Sequence, residues 1–468
     1  MAKTIDPQTA WKPFSPDAGN PWDLKKVGHV YRRAAFGASW AELQEGLKLD
    51  PQQLIDRLLK GGEPSPLYDA DTEKFLTEAA RKFNDGAQAS AWWLYRMLHA
   101  GNPLREKLAL FWHNHFATSN AKVQNVSYMV GQYELMYQHA LCKFSDLLQG
   151  ISRDPAMMIW LDTIQSKKGA PNENYARELM ELFSLGIGNY TEKDIREAAR
   201  AFTGWEIQDG KFRENKNQFD TTEKKVLGQT GNWNGGDIVR ICLEQKAAPI
   251  FIVRKLYRFL INEADAPSDE LIGPLAKQFQ DGYDSGKLVE TMLRSNMFFS
   301  QHAYRGRIKS PVDYVLGMAR ALESKMGTQN SAVNLTTALE SLGQNVFHPP
   351  SVKGWDGGQT WLNGQTLLLR QNFSLELARR PAGYKEPATA YVLAKSHGKK
   401  TGEELAEFFL QLFLQGDVPA ETRTRIFEYA RSSTKQKLPS YWTEQDEAEH
   451  RVISLCHLVM TLPEYQVD

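Results

Sequence analysis

The 468 residues predict a mainly α protein, a multi-helix globular bundle with a small β-hairpin or short-strand insertion around 205–230. Three observations carry this. Helix-start signals recur along most of the chain. One stretch alone, 205–235, is dense in Gly, Asn, Lys and Thr and reads as β. The balance of 42% hydrophobic and 24% charged residues is that of a chain with ample core.

The elements follow in order. Residues 1–20 are polar and contain prolines, and read as an extended N-terminal arm. Ser39-Trp40-Ala41-Glu42 is a capping box. Asp50-Pro51 opens a helix that Gly61-Gly62 closes. Asn102-Pro103, Asp154-Pro155 and Ser310-Pro311 repeat the cap-then-proline start. Residues 173–185 read as one amphipathic helix between an Asn172 cap and Gly186. Thr191 caps the next, with Ile195, Ala198, Ala199 and Phe202 on its inner face. Asp209-Gly210 between two short runs is a hairpin signal, and residues 224–227 offer a third strand. Further helices are expected at about 236–245, 247–263, 268–283, 285–297, 311–324, 331–342, 363–379, 401–414, 419–432 and 443–460. The expected organisation is a main helical domain over 21–380 carrying the β insertion at 205–235, with a helical subdomain over 381–468 packed on it. A boundary is placed near 325–332 or 380–386, where Pro381, Gly383 and Pro387 cluster.

Composition excludes several classes. Net charge is zero, so there is no basic footprint for nucleic acid. No run of about 18 apolar residues spans a membrane. The N-terminus lacks the apolar region of a signal peptide, and the chain as written reads as cytoplasmic. Cys142, Cys242 and Cys456 are too few and too scattered for a disulfide framework or a cysteine zinc site. No G-x-S-x-G elbow, P-loop lysine motif or H-E-x-x-H helix occurs.

Four constellations could carry chemistry. On the 173–185 helix, Glu173, Arg177, Glu178 and Glu181 share the polar side, with Glu173–Arg177–Glu181 a ladder of i, i+4 steps. Such a face is either a solvated lattice of ion pairs or a row of acids turned into a cleft, where Glu173, Glu178 or Glu181 would act as acid, base or metal ligand and Arg177 would orient an anion. His113 and His115, with Asp162, are candidate ligands for a divalent metal. On a helix the two rings diverge by about 200°, so one shared ion requires the helix to end near Trp112. Arg307 and Lys309 precede the Ser310-Pro311 helix start, where an anion would be favoured, although a solvated basic turn is the alternative. The loop 344–364 holds His348, Lys353, Trp355, Asp356 and Trp361, which suit a sugar-binding surface or a plug of Trp rings into the core.

Several of these segments carry a resemblance. F-W-H-N-H-F at 111–116, D-P-A-M-M-I-W-L-D at 154–162, N-E-N-Y-A-R-E-L-M-E-L-F at 172–183, Y-T-E-K-D-I-R-E-A-A-R-A-F-T-G-W at 190–205, K-S-P at 309–311 and P-P-S-V-K-G-W at 349–355 resemble the signature of a bacterial family known as domain of unknown function 1800. The resemblance runs from about His29 to L-P-E-Y-Q at 462–466. Family members often carry a histidine before the aspartate near 220, where this chain has Phe219-Asp220. They are often exported, and often encoded beside a sulfatase- or phosphatase-like protein, which implies a polyanionic or glycan substrate or a partner of that fold. The functional expectation is a hydrolase-type enzyme, metal-assisted or not, acting on a glycan or other anionic substrate in a cleft lined by the 173–185 helix. The alternative is a binding or assembly protein that docks such a partner.

Overall fold

Ten of the side chains of the helix Pro103–His115 are buried, among them Glu106, Lys107, His113 and His115. The segment is buried nearly all round, charged residues included, so it lies in the interior and is covered on several sides. The helices Leu24–Ala34, Pro51–Lys60, Gly86–His99 and Val126–His139 pack around it. Its polar groups have interior partners. Glu106 accepts from Trp93 Nε1 at 3.1 Å, Arg96 Nε at 3.0 Å and Tyr133 Oη at 2.8 Å. Lys107 forms a buried ion pair with Asp313. These geometries belong to a computed structural model that describes residues 6–324, 329–379, 387–432 and 442–468.

The architecture is mainly α, with two small two-stranded sheets among the described residues. Most cap signals are realised, but Asn102 makes no cap bond, and the signature helix starts from Glu173 with the Asn172 side chain accepting from the Asn174 amide. Ser39 and Glu42 form a reciprocal capping box, and Asp50, Asp154, Thr191 and Ser310 each accept from a backbone amide of the helix they start. Later helices fall close to expectation: Gly235–Leu243, Ala247–Leu260, Asp269–Gln280, Ser285–Arg294, Pro311–Ala321, Gln329–Ser341, Gly364–Ala378, Gly402–Leu414, Ala420–Ser432 and Glu444–Met460. Of the expected boundaries at 325–332 and 380–386, residues 325–328 and 380–386 lie outside the described residues, and 329–332 belong to the start of the helix Gln329–Ser341. The N-terminal arm is described from residue 6. It forms one helical turn, Pro7–Ala10, and is pinned by Trp11 Nε1 donating to the Leu271 carbonyl at 2.7 Å.

The β insertion is two hairpins. Trp205–Gln208 pairs with Lys211–Glu214 across Asp209 and Gly210, both at positive φ, which is the turn an Asp-Gly pair favours. The third expected strand, Lys224–Val226, pairs instead with Gln229–Gly231 across Leu227 and Gly228. That fourth strand has no strong turn signal in sequence.

The signature helix departs from the uniform α-helix expected over 173–185. Asn174–Glu178 is α-helical, and Leu179–Ser184 widens into a π-helix. The Leu185 amide reaches back five residues to the Met180 carbonyl at 2.9 Å. A π-turn turns carbonyls out of the usual ladder, and here outside donors meet them. Lys255 Nζ lies 3.1 Å from the Leu182 carbonyl, and His115 Nε2 lies 3.1 Å from that of Phe183.

The end of the chain returns to the centre. The Lys309 amide donates to the Gln466 carbonyl at 2.9 Å, and the Asp468 amide to that of Arg307 at 2.8 Å. This seats residues 465–468 beside the start of the helix Pro311–Ala321. No described helix is long and apolar enough to cross a membrane.

Candidate functional site

The acid-rich face of the signature helix is a lattice of ion pairs. Arg177 donates to both Glu192 oxygens at 2.8 Å and to Glu173 at 3.3 Å. Glu181 accepts from Tyr190 Oη at 2.6 Å. Burial, and then the neighbouring Glu181 charge, raise the Glu178 carboxyl above its ordinary value. These four residues line neither the small cavity beside Lys309 nor the larger cleft beside Arg320.

The two histidines serve different neighbours. Because the helix runs on through His115, the rings diverge. His113 Nε2 accepts from the Phe347 amide at 3.1 Å, which places its proton on Nδ1, buried without a partner. His115 caps the Phe183 carbonyl and meets Lys255 Nζ through Nδ1 at 3.0 Å. Burial lowers both rings, His113 to about 3 and His115 well below its ordinary value, so both are neutral. Asp162 pairs with Lys122 at 2.8 Å and accepts from Asn174. Among the described residues no three His, Cys, Asp or Glu side chains gather for a metal ion, which corrects the reading of His113, His115 and Asp162 as one ligand set.

The loop 344–364 turns its rings inward. Trp355 and Trp361 are each 7% exposed. Asn114 holds the loop by accepting from the Trp355 amide at 2.7 Å and donating to its carbonyl at 3.3 Å. His348 Nδ1 sits 3.3 Å from the Val346 carbonyl, and Lys353 pairs with Asp356 at the surface. The loop therefore fixes the end of the central helix and offers no open Trp platform.

The basic pair before Ser310 has a different fate. Arg307 donates from Nη1 to the Phe259 carbonyl at 2.7 Å, with Glu263 3.7 Å from its Nε. Lys309 lies on the wall of a small cavity of about 30 Å³ between the helices Leu24–Ala34, Pro311–Ala321 and Gly402–Leu414. A volume on this measure holds one or two water-sized groups. Arg32, Asp313, Gln415, Tyr465 and Asp468 share that wall. Gly28 lets the Gln415 side chain pack close there, since a Cβ on it would come within 2.3 Å and Gln415 would have to shift.

The cavity is unbalanced in partners. Lys309 is 4% exposed, and its ammonium lies 3.4 Å above the Tyr465 ring with no hydrogen-bond or ion-pair partner among the described residues. Arg32 donates Nη1 to Gln415, while Nε and Nη2 have no partner. Asp313 is already engaged by Lys107 and by the Ser310 hydroxyl at 2.9 Å. Burial would raise its carboxyl, but the charges of Lys107 and Arg307 outweigh it and hold Asp313 below its ordinary value. Asp468 keeps Oδ2 buried and unpartnered. Burial pushes Lys309 down to about 7, with Asp468 opposing and Arg32 adding to the fall. Behind the wall, burial lowers Arg33 to about 9 and Arg370 to about 10. The arrangement can accept a small anionic group, and it holds an amine able to gain or lose a proton near neutrality.

Of this wall, only Lys309 was singled out in sequence. Asp313 carries a local signal, three residues after the Ser310 cap. Arg32, Gln415 and Asp468 carry none, because their proximity is purely tertiary. No curated protein and no solved structure matches the chain. A family model described as "Protein of unknown function (DUF1800)" matches residues 29–467, nearly the whole length, and the chain belongs to that family.

Proposed function

We propose that the protein is a hydrolase-type enzyme for an anionic or glycan-like substrate, and that it seats an acidic group of that substrate against Lys309 and Arg32. One observation carries this reading: two cationic side chains, both more than nine-tenths buried, line one small cavity with donors unused. A buried cation without a partner is costly, and sites that bind anions are where such groups are kept. The cavity admits an acid group only, so the body of the substrate lies at its mouth.

Lys309 then has two roles. Near pH 7 part of it is free amine, able to take a proton from an attacking water. A bound anion favours the ammonium, which can return that proton to a leaving oxygen. The test is binding of inorganic phosphate and sulfate by calorimetry, with hydrolysis of p-nitrophenyl acetate, phosphate, sulfate and glycosides measured alongside. Lys309→Met should abolish both binding and turnover. Full activity in Lys309→Met, or no binding of either anion to the wild type, would defeat the proposal.

A second reading, a docking protein for a sulfatase- or phosphatase-like partner, is favoured by Ile187. It is 80% exposed, and it lies in sequence between Glu181 and Tyr190, which pair with each other. On this reading the partner would cover Ile187 beside the Glu181–Tyr190 hydrogen bond. Co-expression with the neighbouring sulfatase-like protein, followed by gel filtration, tests it: a complex lost on Ile187→Asp supports docking, and separate elution of the wild-type proteins removes it.

A further inference from the structure

The wall of the Lys309 cavity is rich in donors and poor in acceptors. Lysine and arginine side chains only donate, so Lys309 and Arg32 call for acceptors. Two of the groups beside them are used up. Asp313 accepts from Lys107 through Oδ1 and from the Ser310 hydroxyl through Oδ2. Gln415 accepts from Arg32 and donates to the Leu412 carbonyl at 3.1 Å. Tyr465 Oη makes no hydrogen bond among the described residues, and a phenol donates as readily as it accepts.

Asp468 is the exception. Its backbone is held on both sides: the amide donates to the Arg307 carbonyl at 2.8 Å, and Arg33 Nη2 donates to the Asp468 carbonyl oxygen at 3.4 Å. The side chain lies on the cavity wall, 1% exposed, and makes no hydrogen bond or ion pair among the described residues. Oδ2 is closed off, which leaves Oδ1 as the oxygen open to the cavity. A carboxylate can only accept. Donor-only cations and one acceptor-only acid around a single small space fit a guest with several acceptor oxygens and one hydroxyl proton. A buried acceptor left unmet is costly, so the guest that brings this proton is preferred. A singly protonated phosphate monoester has that pattern. A sulfate ester of the same shape has no proton to give. The space, about 30 Å³, takes the protonated oxygen and one neighbour, with the rest of the group at the mouth.

We infer that the acidic group seated at Lys309 is a singly protonated phosphate monoester, with Asp468 Oδ1 accepting the phosphate O–H and so selecting phosphate over sulfate. This rests on reading the Lys309 cavity as an anion site, and it narrows the substrate class to phosphorylated compounds.

The experiment uses the full chain at about pH 5, where methyl phosphate and methyl sulfate share shape and charge and differ by one proton. By calorimetry or ligand-observed NMR, methyl phosphate should bind with Kd below about 1 mM and methyl sulfate at least about ten-fold more weakly. Asp468→Asn can turn either side of its amide to the ligand, so it should bring the two esters within about three-fold of each other, with the thermal midpoint showing that the fold is kept. Because the esters carry equal charge, loss of the Asp468 charge alone would move both affinities together and leave their ratio as it was. A wild-type ratio below about three, or a ratio unchanged in Asp468→Asn, would overturn selection by Asp468 and leave the anion site in place. Binding of neither ester nor of inorganic phosphate would remove the anion site itself, and this inference with it.

Discussion

Replacing Lys309 by methionine should make the protein more stable at acidic to neutral pH while removing anion binding. Burial holds the Lys309 amine at about 7, against an ordinary 10.5. Each pH step between those values is worth about 1.36 kcal/mol of preference for the neutral form, so keeping the ammonium buried costs the fold at most roughly 5 kcal/mol. The contact with the Tyr465 ring, 3.4 Å away, returns part of this, about 0.5–2 kcal/mol. Methionine is unbranched and one heavy atom shorter, so it fills most of the same space without the charge, and the net gain should be about 3 kcal/mol. Between about pH 7 and 10.5 the unfolded chain holds this proton and the folded chain does not, so the group's contribution to stability rises with pH over that window. The advantage of Lys309→Met is therefore full at pH 6 and gone near pH 10.5. With an unfolding entropy of about 2.1 cal/mol/K per residue, 468 residues give about 1 kcal/mol/K, and the thermal midpoint should rise by about 3 °C at pH 6. Scanning calorimetry of both proteins at pH 6 and pH 10 measures this. A variant that melts below the wild type at pH 6, or a difference that does not shrink with rising pH, would refute the reasoning.

Other perturbations separate structural from functional polar groups. Lys107→Met leaves Asp313 buried and unpaired and should cost about 3–5 kcal/mol in urea unfolding, whereas adding Asp313→Leu should recover most of it. Asn114→Ala removes both bonds to the Trp355 backbone and should cost about 1–3 kcal/mol, with faster hydrogen exchange at the Trp355 amide. Asp154 is pushed up to about 7 by burial, with the Met157 amide and Gln132 opposing. Its raised folded value means its contribution is fully present below about pH 4 and lost as pH rises through 7. Asp154→Asn keeps the cap, so it should melt higher than the wild type at pH 8 and equally at pH 4.

The sequence was most informative where a signal and its structure lie within a few residues. Ser39 with Glu42, Thr191 with Asp194, and Asp209 with Gly210 each act on backbone groups two to four positions away, so their outcome is decided locally. The widening at Leu179–Ser184 was not legible, because the donors that meet its carbonyls, Lys255 and His115, are about 70 residues away in either direction. The periodicity of the signature helix separates an apolar from a polar side, but it is blind to what the polar side faces. Glu192, fourteen positions beyond Glu178, turned that side into paired surface charge. Lys309 shows the converse: a solvated basic turn and a buried cation read alike in sequence.

By itself, then, the sequence determined the helical class, the helix starts, the hairpin at Asp209-Gly210 and membership of a family, since each depends on short-range backbone chemistry or on motif order. Which charged groups are drained of water was decided only by tertiary packing. Burial of Lys309 needs Arg32, Tyr465 and Asp468 brought together from both ends of the chain, and desolvation is a property of everything within a few ångströms, whatever its place in the sequence.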